Sequence, residues 1–148
     1  ESAATFETEP VGEPAQRAWF EDHARHGLPL VVATAESGAV AGWAGLSRWS
    51  GRCAYARAAE VSVYVHRDHQ GKGVGRALLS ALIDRARQRG LGVLLARIES
   101  TGAASLRLHE SAGFKAIGVM RRVGEKFGVI RDVVLMDLHV DGAGGVGA

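Results

Sequence analysis

The sequence predicts a mixed α/β fold, because segments with two different hydrophobic periods follow one another along the chain. Residues 60–65 alternate between apolar and polar side chains, which is typical of a strand with one buried face. Residues 78–86 place apolar side chains at helical spacing, which indicates an amphipathic helix. A glycine-rich turn joins the two segments. The 148 residues suit one hydrophobic core, so we predict a single domain over 1–140 and a flexible glycine-rich tail over 141–148.

Turn residues and periodicity set the limits of the other elements. Residues 1–12 show no period and predict a loop. Gly27 and Pro29 end the first helix, and Gly90 closes the central one. We predict helices over 13–26, around 78–86 and over 103–111, and strands over 28–35, 39–49, 60–65, 93–98, 116–123 and 131–138.

Composition and charge exclude several classes of protein. The net charge is only +2 and no block of Lys or Arg stands out, so we expect no nucleic-acid partner. Cys53 is the only cysteine, which excludes a disulfide framework and a thiolate metal cluster. No apolar run approaches the roughly 20 residues that span a bilayer, and the first residues show no signal peptide. We therefore expect a cytoplasmic protein with no metal and no membrane partner.

The glycine-rich turn is the strongest local signal in the chain. It runs from Gln70 to Arg76, with glycines at alternate positions, and leads directly into the central helix. Glycines let the backbone approach a ligand, and the unpaired N–H groups of a helix N-terminus attract anions. The string lacks the Walker pattern, and Leu78 stands where a dinucleotide fingerprint needs its third glycine. These residues by themselves predict either a phosphate site or a glycine-rich connector without a ligand.

Several motifs, taken in order, resemble those of a known family. Residues 70–75 (Gln-Gly-Lys-Gly-Val-Gly) resemble the acetyl-CoA motif of the GNAT acetyltransferases. The segments that resemble the phosphinothricin and methionine sulfoximine acetyltransferases more narrowly are 6–10, 60–65, 108–114, 123–128 and 132–134. The resemblance spans about residues 1–138. It implies a twisted, mixed β-sheet that is splayed in the middle and flanked by helices, without the strand and helix with which the family usually begins.

The resemblance also implies where acetyl-CoA binds. The backbone of Val63, Tyr64 and Val65 would hold the pantetheine arm and the thioester. The residues implied for the pyrophosphate are Gln70, Gly71, Lys72, Gly73, Val74, Gly75 and Arg76. Ser105 and Gly102 complete the implied cofactor contacts. Gly102 stands where the family usually has an Asn that binds the pantetheine amide, so this contact is expected to be weaker here or to pass to water or backbone.

The implied reaction is the attack of an amine on the thioester of acetyl-CoA. Because an amine is mostly protonated at neutral pH, a general base helps, and the resemblance assigns this role to Glu60. The alternative for Glu60 is a salt-bridged strand carboxylate. His109 is implied to donate a proton to the leaving thiolate or to position the substrate, and the alternative is a helix histidine that only packs.

Four further residues are implied for the acceptor. Tyr55 and Arg57 match an aromatic and basic cluster that meets the substrate's carboxylate, and Lys126 and Phe127 would line the acceptor pocket or a dimer contact. The family order is commonly Tyr-Arg-His, whereas here Ala56 follows Tyr55, which moves the basic side chain to the other strand face. We predict a homodimer that N-acetylates a small amino-acid-like amine of the phosphinothricin or methionine sulfoximine type. The alternatives are a peptide, lysine or polyamine acceptor, disfavoured by Arg57, and a non-catalytic CoA-binding sensor.

Overall fold

The computed structural model describes residues 18, 21–23, 25 and 27–142. The described residues before Gly27 are helical and fall within the helix predicted over 13–26. The N-terminal loop, the rest of that helix, the expected lack of a first strand and helix, and the tail beyond residue 142 lie outside the described residues. No described helix is long and apolar enough to cross a membrane.

Strands and helices follow one another along the described chain in nearly the predicted order. The strands are β1 (Leu30–Thr34), β2 (Val40–Arg48), β3 (Ala58–Val65), β4 (Val93–Glu99), β5 (Lys115–Lys126) and β6 (Val129–His139). The helices are α1 (Val74–Gln88) and α2 (Ala103–Ser111), with short 3-10 turns at Cys53–Tyr55 and Arg67–His69. The strands form one sheet in the order β1-β2-β3-β4-β6-β5, with antiparallel pairs and a parallel β3–β4 pair. The predicted mixed α/β class is therefore confirmed.

The last two strands are longer than the sequence predicts. The predicted strands left residues 124–130 as a connection, whereas β5 and β6 extend to a two-residue turn at Phe127 and Gly128. Both turn residues have positive φ, 55° and 72°, as a type I′ hairpin turn requires. Phe is an unusual residue in this conformation because its Cβ crowds the following carbonyl oxygen. For this reason the residue pattern did not predict the turn.

The described chain divides into two compact units. The α2 unit comprises the described residues up to Gly27 and Ala96–Asp137, and the α1 unit comprises Leu28–Leu95 and the described residues from Leu138 onward. In the α1 unit, helix α1 packs on β1, β2 and β3. Its buried side chains recur at helical spacing and are Leu78, Leu79, Leu82, Ile83 and Ala86. The single domain stays a prediction.

Strand β3 is paired on both edges only over its first residues, and beyond them it is paired on one edge. Its parallel ladder with β4 comprises only three residue pairs and ends at Glu60 and Leu95. Its antiparallel ladder with β2 continues as far as Val65. In the part of the chain that the structure describes, no ladder joins residues 61–65 to β4, so the outward N–H and C=O groups of this stretch have no strand partner. Strand β3 therefore has an open edge after Glu60.

Candidate active site

The glycine-rich turn holds two residues in the left-handed conformation. Gly71 has a φ of 74° and Gly73 a φ of 82°, a region that favours glycine. A Cβ at either position would meet no atom within 4 Å, so the backbone conformation requires these glycines and the space around them is open. Gln70 fixes the start of the turn, because its Nε2 donates a hydrogen bond to the Val65 carbonyl oxygen at 3.2 Å.

Helix α1 begins inside the predicted turn, with Val74, Gly75 and Arg76 as its first helical residues. The first N–H groups of a helix have no intrahelical partner, and here no side chain caps them and no acidic residue lies in the first turn. Lys72 and Arg76 are exposed, and neither has an ion-pair partner within the described ranges. The helix dipole, the unpaired N–H groups and the two cations together suit an anion. The side chain of Gln70 holds the turn and points back to β3.

Glu60 lies on the sheet face that points away from helix α1. On the opposite face, a Cβ at Gly42 of β2 would lie 3.1 Å from Leu78 Cδ1, so α1 covers that face. Gly42 pairs with Val65, and successive strand residues alternate between faces, so Glu60 and Tyr64 share the other face. Glu60 is half-buried and belongs to the last pair of the β3–β4 ladder. Its side chain therefore lies where the open edge of β3 begins.

The stretch predicted to bind the thioester coincides with the open edge of β3. Val63 and Val65 are half-buried, whereas Tyr64 is exposed. The Tyr64 ring stacks on the Trp43 ring of β2, with 6.4 Å between the ring centroids. The ladder with β2 and this ring contact hold the stretch in place, so its open edge is a preorganised row of backbone donors and acceptors.

His109 is buried on helix α2 and is held through one ring nitrogen. Its Nδ1 lies 2.8 Å from the Ser105 carbonyl oxygen. A carbonyl oxygen can only accept, so Nδ1 carries the hydrogen and Nε2 of the neutral ring carries the lone pair. The ring also meets Phe114 edge to face, with 5.2 Å between centroids. Burial lowers the pKa of His109 below its usual value, against the opposing effect of the Ser105 bond, so the ring is neutral at neutral pH.

Gly102 is the N-cap of helix α2 and has no side chain to cap it. Its φ of −76° is open to any residue. A Cβ there would lie 3.1 Å from the Glu99 carbonyl oxygen and 4.0 Å from Ser105 Cβ, so a larger residue requires a small shift of the backbone. The Gly102 N–H donates to the Glu99 carbonyl oxygen at 2.9 Å, which occupies this donor within the turn.

The two predicted acceptor residues before β3 have different surroundings. Tyr55 is exposed and ends a 3-10 turn. Arg57 lies across Gly92, where a Cβ would come within 2.6 Å of its Nη2. The same Nη2 donates to Asp141 Oδ2 at 2.6 Å. Arg57 already holds a carboxylate, and a substrate carboxylate would have to compete with Asp141 for it.

Lys126 and Phe127 form the tip of the β5–β6 hairpin. Lys126 is buried, and its Nζ lies 5.3 Å from the centroid of the Phe127 ring. Phe127 is 57% exposed. A cation over an aromatic face is attracted by the ring quadrupole, so the ammonium group helps to hold the exposed ring.

The structure distributes the predicted site residues over the two units. Those in the α1 unit are Tyr55, Arg57, Glu60, Val63, Tyr64, Val65 and residues 70–76, and those in the α2 unit are Gly102, Ser105, His109, Lys126 and Phe127. Sequence reasoning missed Glu99, Thr101 and Arg131, whose side chains converge within the α2 unit. An acidic residue at the end of a mostly apolar strand is the signal that could have revealed them. No group of three or more His, Cys, Asp or Glu among the described residues could hold a metal ion.

Comparison with known proteins identifies acetyltransferases over most of the chain. Residues 1–114 match the model of the acetyltransferase (GNAT) family. The chain is 43% identical over 140 residues to an L-methionine sulfoximine/L-methionine sulfone acetyltransferase of Pseudomonas aeruginosa, covering 95% of this chain and 81% of that protein. It is 38% identical over 135 residues to a phosphinothricin N-acetyltransferase of Streptomyces coelicolor, covering 90% and 79% of the two chains. The solved structure of yncA from Salmonella typhimurium with its cofactor acetyl-CoA matches with a TM-score of 0.91 at 44% identity, covering 95% and 80%.

These matches include the elements that form the candidate site. The family model spans the open-edged strand β3, the glycine-rich turn and helices α1 and α2. The solved relative contains acetyl-CoA. On the strength of the family model and of relatives above 30% identity, the chain belongs to the acetyltransferase (GNAT) family.

Proposed function

We propose that the protein is an acetyl-CoA-dependent N-acetyltransferase whose acceptor is the amine of a small L-amino-acid analogue of the methionine sulfoximine or phosphinothricin type. Relatives at 43% and 38% identity carry the names of these acceptors, and a relative at 44% identity has acetyl-CoA as its cofactor. The observation that carries the proposal is the uncapped N-terminus of α1, which follows the open edge of β3 in the same unit.

In the proposed complex the chain binds acetyl-CoA through backbone groups and two cations. The N–H groups at the start of α1, with Lys72 and Arg76, bind the pyrophosphate. The open edge at 63–65 binds the pantetheine arm, and one N–H of this stretch stabilises the oxyanion of the tetrahedral intermediate. Gly102 and Ser105 remain proposed contacts of the same cofactor.

The proposed chemistry is a direct transfer of the acetyl group. The neutral amine attacks the thioester carbonyl carbon and forms the new C–N bond, and the intermediate then breaks the C–S bond. Glu60 accepts the proton that the amine loses, directly or through a water molecule. The CoA thiolate leaves and takes up a proton from solvent.

His109 acts in this proposal by positioning the substrate, since its neutral ring has no proton on Nε2 to give. We expect His109→Gln, whose side chain can still accept a hydrogen bond, to lower kcat by less than about fivefold. The loss of a general acid would instead lower kcat by roughly 10²–10⁴-fold. Steady-state kcat and acceptor KM, measured between about pH 6 and pH 9, distinguish the two roles.

A matched variant separates the role of the ring from its packing. His109→Ala removes both the acceptor and the contact with Phe114, and we expect it to lower the Tm more than His109→Gln does. A loss of about 100-fold in kcat for His109→Gln, at an unchanged Tm, would assign the proton donor to His109 and contradict the positioning role.

Thiol release from acetyl-CoA with a panel of amines tests the proposed function. We expect turnover with methionine sulfoximine and phosphinothricin and little with spermidine, lysine or a peptide N-terminus. Turnover with polyamines or peptides alone would replace the proposed acceptor by the alternative enzyme. Binding of acetyl-CoA without turnover of any amine would favour the sensor.

The acceptor contacts remain proposals, and the structure adds the ion pair that Arg57 makes with Asp141. Tyr55 and Arg57 are proposed to meet the acceptor's carboxylate, and Arg57 then exchanges Asp141 for the substrate. The guanidinium of Arg57 is largely solvent-exposed, so this exchange needs little movement. Lys126 and Phe127 are proposed to line the acceptor pocket or a dimer contact.

The proposed assembly is a cytoplasmic homodimer. The β5–β6 hairpin supports a dimer because it carries a group of large apolar side chains that are exposed to solvent. They are Ile117, Val119, Val123, Phe127, Val129 and Ile130. Large exposed apolar areas mark interaction surfaces, so this hairpin is the proposed dimer contact. Light scattering should give twice the 15.6 kDa of one chain, and a mass of one chain at micromolar concentration would refute the dimer. The single cysteine supports a reducing compartment.

A further inference from the structure

A buried carboxylate lies at the end of strand β4, outside the residues assigned so far. The side chain of Glu99 is only 3% exposed. Thr101 donates its hydroxyl hydrogen to Oε2, and Ser100 Oγ and Arg131 Nη1 each lie 3.4 Å from Oε1. Burial by itself would raise the pKa of Glu99, but the hydrogen bonds from Thr101 and Arg131 outweigh it and hold the pKa below its usual value. Glu99 is therefore a charged group inside the α2 unit.

Arg131 of β6 supplies the opposite charge and closes a triangle of contacts. Its Nη1 also lies 3.2 Å from Thr101 Oγ1, so Glu99, Thr101 and Arg131 all contact one another; we name them the Glu99 triangle. The Arg131 side chain is 19% exposed, and its buried Nε has no hydrogen-bond partner among the described residues. Buried ion pairs with such an unsatisfied group add little stability, because removing charges from water is costly. A role in fixing geometry accounts for the triangle better than a role in stability.

The Glu99 triangle holds the turn that leads into helix α2. Thr101 immediately precedes Gly102, the N-cap that has no capping side chain. The Gly102 N–H donates to the Glu99 carbonyl oxygen at 2.9 Å, and the Ser100 N–H donates to the Asp132 carbonyl oxygen at 3.0 Å. Backbone and side chains thus both tie this turn to β6. The position of the first turn of α2 depends on these contacts.

We infer that Glu99, Thr101 and Arg131 are positioning residues for acetyl-CoA binding, because they fix the start of α2 where Gly102 provides no capping side chain. The inference rests on the proposed function, in which Gly102 and Ser105 contact the cofactor. The triangle acts through the turn and touches none of the reacting atoms. Its loss should therefore weaken cofactor binding more than it slows the chemical step.

The variant Thr101→Val tests the triangle, since it removes one hydroxyl and keeps the shape of the side chain. We expect the Kd and KM for acetyl-CoA to rise roughly tenfold, because the variant loses the hydrogen bonds of the Thr101 hydroxyl to both charged partners. We expect kcat to change by less than about threefold. Thr101→Ser keeps the hydroxyl and should bind acetyl-CoA like the wild type. Calorimetric titration with acetyl-CoA and steady-state thiol release measure these quantities.

A second variant and a control complete the design. Arg131→Met breaks the triangle at another corner, so a similar rise in Kd is expected even if Thr101→Val does not fold. Ser100→Ala is the matched control, because it removes a hydroxyl 3.4 Å from the same carboxylate but outside the triangle. Its Kd should stay within about twofold of the wild-type value, less than the effect of one hydrogen bond.

The outcomes separate this inference from the proposed function. Raised Kd values in Thr101→Val and Arg131→Met, with rescue by Thr101→Ser, support positioning. If both variants have a lower Tm but bind acetyl-CoA with the wild-type Kd, the triangle only stabilises its unit and the inference is overturned. If the wild-type protein itself binds no acetyl-CoA, the proposed function fails and the inference fails with it.

Discussion

Replacement of Gly73 by Asp is expected to abolish acetyl-CoA binding and to leave the protein folded. Gly73 is the left-handed N-cap of α1, with a φ of 82°. A side chain is strained in this conformation but meets no atom within 4 Å, and Asp is one of the few residues that adopt it. Its carboxylate would lie beside the proposed pyrophosphate site, and like charges about 4 Å apart near a surface repel by roughly 4 kcal/mol. We expect the Kd for acetyl-CoA to rise more than about 100-fold, measured by calorimetric titration.

The variant Gly73→Asn is the matched control for charge. Asn has nearly the shape of Asp and adopts the same φ at a similar cost, but it carries no charge. We expect its Kd to rise by less than about tenfold. We expect the Tm values of the two free variants to be similar to each other and below that of the wild type, because both side chains strain the left-handed position. Equal loss of binding in both variants would assign the effect to shape and contradict the anion site.

Replacement of Glu60 by Gln is expected to lower kcat by about 10²–10³-fold, the contribution typical of a general base. Gln has nearly the same volume as Glu, so the last pair of the β3–β4 ladder, Glu60 with Leu95, should persist. The Kd for acetyl-CoA should stay near the wild-type value, because the proposed cofactor contacts are made by the turn and the open edge of β3. Thiol release at saturating acetyl-CoA and acceptor measures kcat.

The pH dependence of this variant distinguishes a base from a structural carboxylate. A free amine needs no base, so the rate of Glu60→Gln should rise with pH towards the pKa of the acceptor amine and narrow the gap to the wild type. Glu36→Gln, at an exposed hairpin turn, is the control and should keep wild-type kcat. A gap between Glu60→Gln and wild type that is constant with pH would contradict the role of a base.

The elements of the proposed cofactor site could be predicted because each depends on residues near one another in sequence. Alternation defines β3, and the left-handed φ of Gly71 and Gly73 needs the residue type that the turn displays. The start of α1 was less accurately predicted. It lies at Val74, directly after the left-handed Gly73, and earlier than the first apolar residue of the helical pattern.

The acceptor side could be predicted less well, because it depends on the hairpin and on burial. Phe127 adopts a conformation that its residue type disfavours, so residue preferences did not predict the two-residue turn. His109 stands in a predicted helix, but whether its ring is charged depends on burial. Burial is a property of packing between elements distant in the sequence.

The sequence by itself determined the elements of the proposed donor site. They are a strand, a glycine-rich turn and a helix N-terminus that are contiguous in the chain, so their geometry follows from local φ and ψ. Tertiary structure alone decided which charged side chains meet. Arg57 reaches Asp141, 84 residues away, and Arg131 reaches Glu99, 32 residues away. A long polar side chain pairs with whatever group the strand order brings within a few ångströms, and no local period encodes that order. For this reason the residues available to an acceptor had to be read from the folded chain.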